Sequence, residues 1–143
     1  MSAESNKALS RRLMEEAFNA GNIDVLDELV TTDVVTHDAA LPEPTIGPDA
    51  AKASIRGYRA AFPDLRITIE EQIADDQGVA TRWSAKGTQE GELMGMPATG
   101  KQATVTGITI DRIVDGRIAE SWTNWDTLGM LQQLGVVPAL ATA

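Results

Sequence analysis

The sequence has no cysteine and a single histidine, His37. The first absence excludes disulfides, thiolate metal sites and a cysteine nucleophile. The second excludes a zinc centre built from two or three histidines of one chain. Positive charge is also short: 12 Lys and Arg stand against 21 Asp and Glu, a formal net charge of -9. Nucleic acid and anionic membrane surfaces both require clustered Lys and Arg, so neither is an expected partner. No apolar run approaches membrane-spanning length. The first residues, MSAESNKALSRR, lack the apolar segment of a secretory signal, and a cytoplasmic location is the expectation. Neither GxGxxG nor GxxxxGK[ST] occurs, so no phosphate loop is present. Any chemistry must come from side chains in a pocket.

What is present is a globular composition, 43% hydrophobic and 23% charged over 143 residues. That length suits one domain with one core, residues 1–143, with 1–5 and 136–143 expected as flexible tails. Leu9, Leu13, Ala17 and Phe18 recur at helical spacing over 6–20, and Gly21 stops the run. Asn22 can cap a second helix bearing Val25, Leu26, Leu29 and Val30. "DVVTHD" (33–38) is β-prone, and "AALPEPTIGP" (39–48) is a Pro-rich loop. Pro48 then opens a third helix with Ala51, Ile55, Tyr58 and Phe62 on one stripe. Residues 65–74, 78–89, 102–114 and 117–125 read as four strands. Helices first and antiparallel strands afterwards define an α+β fold. A strongly curved sheet beneath such helices leaves a cavity between the layers.

Asp115-Gly116 signals a two-residue hairpin turn. That turn pairs Val114 with Arg117, and an unbroken ladder then sets Asp111 opposite Glu120, Thr109 opposite Trp122 and Gly107 opposite Asn124. These side chains share one face, with the mixed composition of a ligand pocket. The opposite face carries Ile108, Ile110, Thr123 and Trp125, and suits packing on another layer or a second subunit. A bulge would shift this register.

"AAFPDLRITIEE" and "GELMGMPATGKQATVTGITIDRIVDGRIAESWTNWDTLGMLQQLG" resemble the SnoaL-like polyketide cyclases, or ester cyclases. The N-terminal helices and "DVVTHD" fit the same pattern, so the resemblance covers nearly the whole chain. It implies an NTF2-like cone: three helices on a strongly curved antiparallel sheet around a pocket, with a short C-terminal helix. It implies intramolecular aldol ring closure of a polyketide ester, with no metal or organic cofactor and with an aspartate removing a proton next to carbonyl groups. It places that aspartate at Asp126, with His37 as an assisting residue, and it implies a homodimer through the outer sheet face.

Read from the residues alone, Asp126 is either the cap of a helix over 127–134 or a general base beside Trp122. His37 is either a histidine bonded to backbone or a donor to a developing oxyanion. Trp122, Asn124, Thr109, Tyr58, Phe62 and Trp83 are candidates to line the pocket. Met94 and Met96, in the loop 91–100, are either a lid that adapts to a flat ligand or part of a loop packed on the last helix or a partner. Asp111 and Glu120 are either solvated at the hairpin end or a proton-sharing pair inside the pocket. The competing functions are another small-molecule enzyme on the same scaffold (isomerase, dehydratase, hydroxylase or hydrolase) and a non-catalytic, dimeric ligand-binding module. An epoxide hydrolase of the limonene type requires Arg two residues before Asp, where this chain has Thr109 before Asp111.

Overall fold

Residues 2–138 are described by the computed structural model. Ser2 and Ser5 cap each other reciprocally and start helix α1, Ala3–Arg12. Residues 3–5, expected in a tail, are its first turn. The helix continues as a wider π-type segment, Leu13–Asn19, and closes at Gly21 with φ +77°. The Arg59 guanidinium lies against Gly21 and donates to the carbonyls of Phe18 and, at 3.2 Å, Asn19. A cation thus meets the carbonyl end of the helix, where the dipole favours it. A short turn, Ile23–Val25, leads into the single-turn helix α2, Leu26–Leu29. Asn22 precedes the turn without a side-chain cap. Val30, expected on the second helix, instead begins strand β1, Val30–Asp38, where β-branched residues favour an extended chain.

The remaining elements are β2 (Thr45–Ile46), α3 (Pro48–Ala61), β3 (Arg66–Ala74), β4 (Gly78–Thr88), β5 (Gln102–Val114), β6 (Arg117–Trp125) and α4 (Thr127–Gln133). The six strands form one sheet in the order β2-β1-β6-β5-β4-β3. β1 runs parallel to β6 and all other neighbours are antiparallel. The helices pack on the sheet through Ala17, Leu26, Leu29, Ile55 and Ile118, each nearly removed from solvent. Each large aliphatic side chain so buried contributes roughly 1.5–3 kcal/mol.

The hairpin explains which side chains face the helices. Asp115 (φ +50°) and Gly116 (φ +77°) form the turn, with Val114 paired to Arg117 and Ile113 to Ile118. Beyond that point Ala119 is an extra residue in β6, so Arg112 pairs with Glu120 and Asp111 with Ser121. This bulge turns the rest of β6 over. Thr109 and Asp111 keep their inward direction, but Trp122 and Asn124, expected inside, face away from the helices. Ser121, Thr123 and Trp125 take the inner face instead. A period-two pattern carries no mark of one inserted residue. A second bulge, between Ile69 and Glu71, interrupts β3, and such features bend strands and increase twist. Gly107 pairs with Trp83 across β5 and β4, and a side chain at 107 would lie 2.3 Å from the indole. The glycine therefore lets Trp83 spread across β5.

Candidate functional site

The layers enclose an apolar cavity of about 180 Å³, and two carboxyl groups reach it. The first is Asp38, at the end of β1. Its Oδ2 accepts the Tyr58 hydroxyl at 2.7 Å. Its Oδ1 accepts the Trp125 indole N–H at 3.0 Å and the Ala40 amide at 2.9 Å. Three parts of the sequence converge here: the end of β1, the inner stripe of α3, and β6 as re-registered by its bulge. The Tyr58 and Trp125 rings meet edge to face, 6.0 Å between centroids. Burial first, then the hydrogen bond to Asp38 and its charge, push the Tyr58 phenol above its ordinary range. Tyr58 therefore keeps its proton and acts as a donor.

The second carboxyl, Asp111 on β5, is 4% exposed. Ser10 of α1 donates to its Oδ2 at 2.6 Å, and Ser121 stands opposite on β6. Burial raises the Asp111 pKa, with the two serine hydroxyls opposing it. Glu120 lies on the outer face, so the two carboxyls expected opposite one another are on opposite sides of the sheet. Between Asp38 and Asp111 runs a hydroxyl chain. Trp83 Nε1–H donates to Thr109 Oγ1 at 3.0 Å, and Thr109 Oγ1 lies 2.9 Å from Thr123 Oγ1. Thr109, Trp83, Tyr58 and Phe62 all line the cavity.

The other residues proposed from sequence lie elsewhere. Asp126 caps α4: its Oδ1 accepts the Gly129 amide at 2.8 Å in an exposed position. The inward positions of β6 are 121, 123 and 125, so position 126 falls outside the cavity. Gly129 leaves room for the cap, since a Cβ there would lie 2.1 Å from Asp126 Oδ2. Asp126→Ala is expected to cost about 1 kcal/mol in thermal or denaturant unfolding and to leave turnover within twofold, a split that a base at this position would not show.

His37 is on the outer face, Nε2 2.7 Å from Glu120 Oε2, with its ring stacked on Trp122 at 5.3 Å. Arg112 covers the other neighbour of this cluster, 5.0 Å from the Trp122 centroid and 3.3 Å from Glu120 Oε1. Asn124 is exposed on the same face. Met94 and Met96 do not line the cavity. They sit in a tight turn closed by Leu93 and Met96, with Met94 at φ +51°. The buried Gln89 amide staples this loop: it donates to the carbonyls of Gly91 and Pro97 and accepts the amide and hydroxyl of Thr99. Leu93 packs with Phe62, Met130 and Leu134, so the segment is a loop packed on the last helix rather than an open lid.

Asp38, Ser10 and Ser121 line the cavity without being expected there from the sequence. The signal for the first was available: along "VVTHD", alternation puts Val34, Thr36 and Asp38 on one face and His37 on the other. Ser10 shares a helical face with Met14 and Ala17, whose apolar character marked it as buried. Among the described residues no three His, Asp or Glu side chains converge as a metal-ligating set, and no described helix is long and apolar enough to cross a membrane.

An α+β cone whose helices and curved sheet enclose an apolar cavity with a few converging polar groups is the architecture of the NTF2-like pocket proteins. The chain belongs to the SnoaL-like polyketide cyclase family, whose family model matches residues 8–134. It is 33% identical over 127 residues to the aklanonic acid methyl ester cyclase DnrD of Streptomyces peucetius, 87% of each chain. It is 31% identical over 124 residues to the nogalonic acid methyl ester cyclase of Streptomyces nogalater, covering 85% of this chain and 92% of that one. The structure of TsrD from Streptomyces laurentii superposes with a TM-score of 0.86 at 27% identity, over 96% of this chain and 99% of that one.

Proposed function

We propose that the protein is a polyketide cyclase that closes a ring in a polyketide ester by intramolecular aldol addition, with its own side chains as the only catalytic groups. The observation that carries this reading is the Asp38 carboxylate on the wall of an apolar cavity, with Tyr58 O–H and Trp125 N–H bonded to it. A proton on carbon between two carbonyls is already acidic, so one positioned carboxylate suffices as base. Asp38 takes that proton and the electron pair moves into an enolate. The enolate carbon attacks a carbonyl of the same molecule, a carbon–carbon bond forms, and the carbonyl electrons pass to oxygen. Protonated Asp38 returns its proton to this alkoxide. Tyr58 and Trp125 are donors beside the base, where negative charge leaves Asp38 and appears on substrate oxygen. The named activities of the methyl ester cyclases among the relatives support the substrate class. The test is turnover of a polyketide methyl ester by the wild type and Asp38→Asn.

The outer sheet face supports a second part of the reading, a homodimer. Ile108 and Ile110 are each 51% exposed and Ile73 68%, and they lie near Trp122 on the face without helices. Apolar area of this kind on a sheet is an interface more often than a free surface. Thr123 and Trp125, expected in that interface, face the cavity instead. Ile110→Lys is expected to shift a dimer to monomer in sedimentation at micromolar concentration; a monomeric wild type would contradict the assembly.

A further inference from the structure

Asp111 has no part in the proton transfer assigned to Asp38. It is nevertheless a carboxyl group on the cavity wall, 4% exposed, with Ser10 at 1% exposure bonded to it. Ser10 and Ser121 also line the cavity. A carboxylate so deeply buried is strongly disfavoured in its ionised form unless a cation or several hydrogen-bond donors compensate it. Among the described residues the one basic residue lining the cavity is Lys86, seven residues from Val79, the β4 partner of Asp111. Seven strand residues span roughly 23 Å, too far for an ion pair.

We propose that Asp111 is held as the neutral carboxylic acid and, with Ser10 and Ser121, forms a donor site that binds a carbonyl oxygen of the substrate at the inner end of the cavity. The inference rests on the proposed cyclase reading and adds to it where the unreacting end of the substrate is held.

Counting hydrogens gives the direction of the bond. Neutral Asp111 and its two serines carry three hydroxyl hydrogens. The contact of the carboxyl with Ser10 uses one of them, and a contact with Ser121, its cross-strand neighbour, would use a second. At least one O–H is left to donate into the cavity that these groups line. If Asp111 were ionised, both serine hydroxyls would donate to it and no donor would remain. The site therefore recognises an acceptor, such as a ketone, quinone or ester carbonyl, and disfavours a carboxylate, whose charge the apolar wall would desolvate. Its placement sets the orientation of the substrate. Ser121, Thr123 and Trp125 follow one another on the inner face of β6, Ser121 beside Asp111 and Trp125 beside Asp38. Four strand residues separate the two ends by roughly 13 Å. A substrate anchored by a carbonyl at Asp111 would present a remote carbon to Asp38.

A matched pair of small probes tests this without turnover: 1-tetralone and tetralin, the same bicyclic skeleton with and without a carbonyl oxygen. Binding is read from the indole N–H resonances of Trp83 and Trp125, which both line the cavity. Asp111→Leu is expected to weaken tetralone at least about tenfold and leave tetralin within about twofold, the loss of one hydrogen bond to a neutral acceptor. Asp111→Asn keeps a donor without charge and should hold tetralone within about threefold of the wild type. Should Asp111→Leu fail to fold, Asp111→Val makes the same comparison. Equal weakening of both probes, no weakening of tetralone, no binding of tetralone by the wild type, or an Asp111→Asn loss as large as that of Asp111→Leu would each overturn the donor site. These outcomes are independent of Asp38: an Asp38→Asn variant with full turnover would remove the proposed base and leave the tetralone result standing.

Discussion

Asp38→Asn is expected to lower turnover on a polyketide methyl ester by roughly a hundredfold or more, the usual contribution of a general base. The fold should survive, because asparagine can satisfy every present partner. Its carbonyl oxygen can accept from Trp125 and the Ala40 amide as Oδ1 does now. Its NH2 group replaces Oδ2 opposite Tyr58, whose hydroxyl can rotate to accept. What asparagine cannot do is take a proton from carbon. The loss should appear in kcat with KM little changed, since the base acts on the transition state more than on binding. Matching circular dichroism and unfolding midpoints would attribute the loss to chemistry. A variant retaining wild-type turnover would exclude Asp38 as the base.

Trp83→Ala is expected to cost about 3–5 kcal/mol of stability, the range for removing a large buried aromatic. Trp83 is 7% exposed and packs with Met14, Ile67 and Ala85. Its N–H serves Thr109, and Gly107 is the glycine that makes room for its ring. The loss combines apolar transfer, an enlarged cavity and a hydroxyl without its donor. Set against a typical total of about 5–15 kcal/mol, this brings the protein near its unfolding threshold. Urea unfolding measures it as a lower midpoint at unchanged slope. A loss below about 1 kcal/mol would mean that neighbouring side chains collapse into the space.

The sequence carried the fold further than it carried the site, and the hairpin shows why. Asp115-Gly116 specifies its turn chemically, so the first two pairs of the β5–β6 ladder could be written from the residues alone. Ala119 has no such chemistry. The pattern of β6 does not encode the bulge there, which appears only in the register of the folded hairpin. One residue of slip exchanged Trp122 and Asn124 for Ser121, Thr123 and Trp125. Asp126 combined two local signals, a strand end and a helix start, and the second describes its position: the carboxylate accepts the Gly129 amide. His37, the only histidine of the sequence, bonds to Glu120 on the outer face, while its neighbour Asp38 lines the cavity. The β-alternation that separates them was readable in "VVTHD". The partners Tyr58 and Trp125, 20 and 87 residues further along, were not, because long-range convergence leaves no local trace. Gln89 is a similar case. A glutamine at a strand end reads as surface, but here it is fully buried and ties down the loop with both faces of its amide.

If Asp38 removes a proton from carbon inside the cavity, proton exchange reports it without any ring closure. A β-keto ester too short to cyclise exchanges its acidic methylene hydrogens with deuterium oxide, and proton magnetic resonance follows the loss of signal. The wild type is expected to accelerate this exchange above the buffer rate, Asp126→Asn to do so equally, and Asp38→Asn to return it to the buffer rate. Acceleration preserved in Asp38→Asn, or lost in Asp126→Asn, would contradict Asp38 as the base.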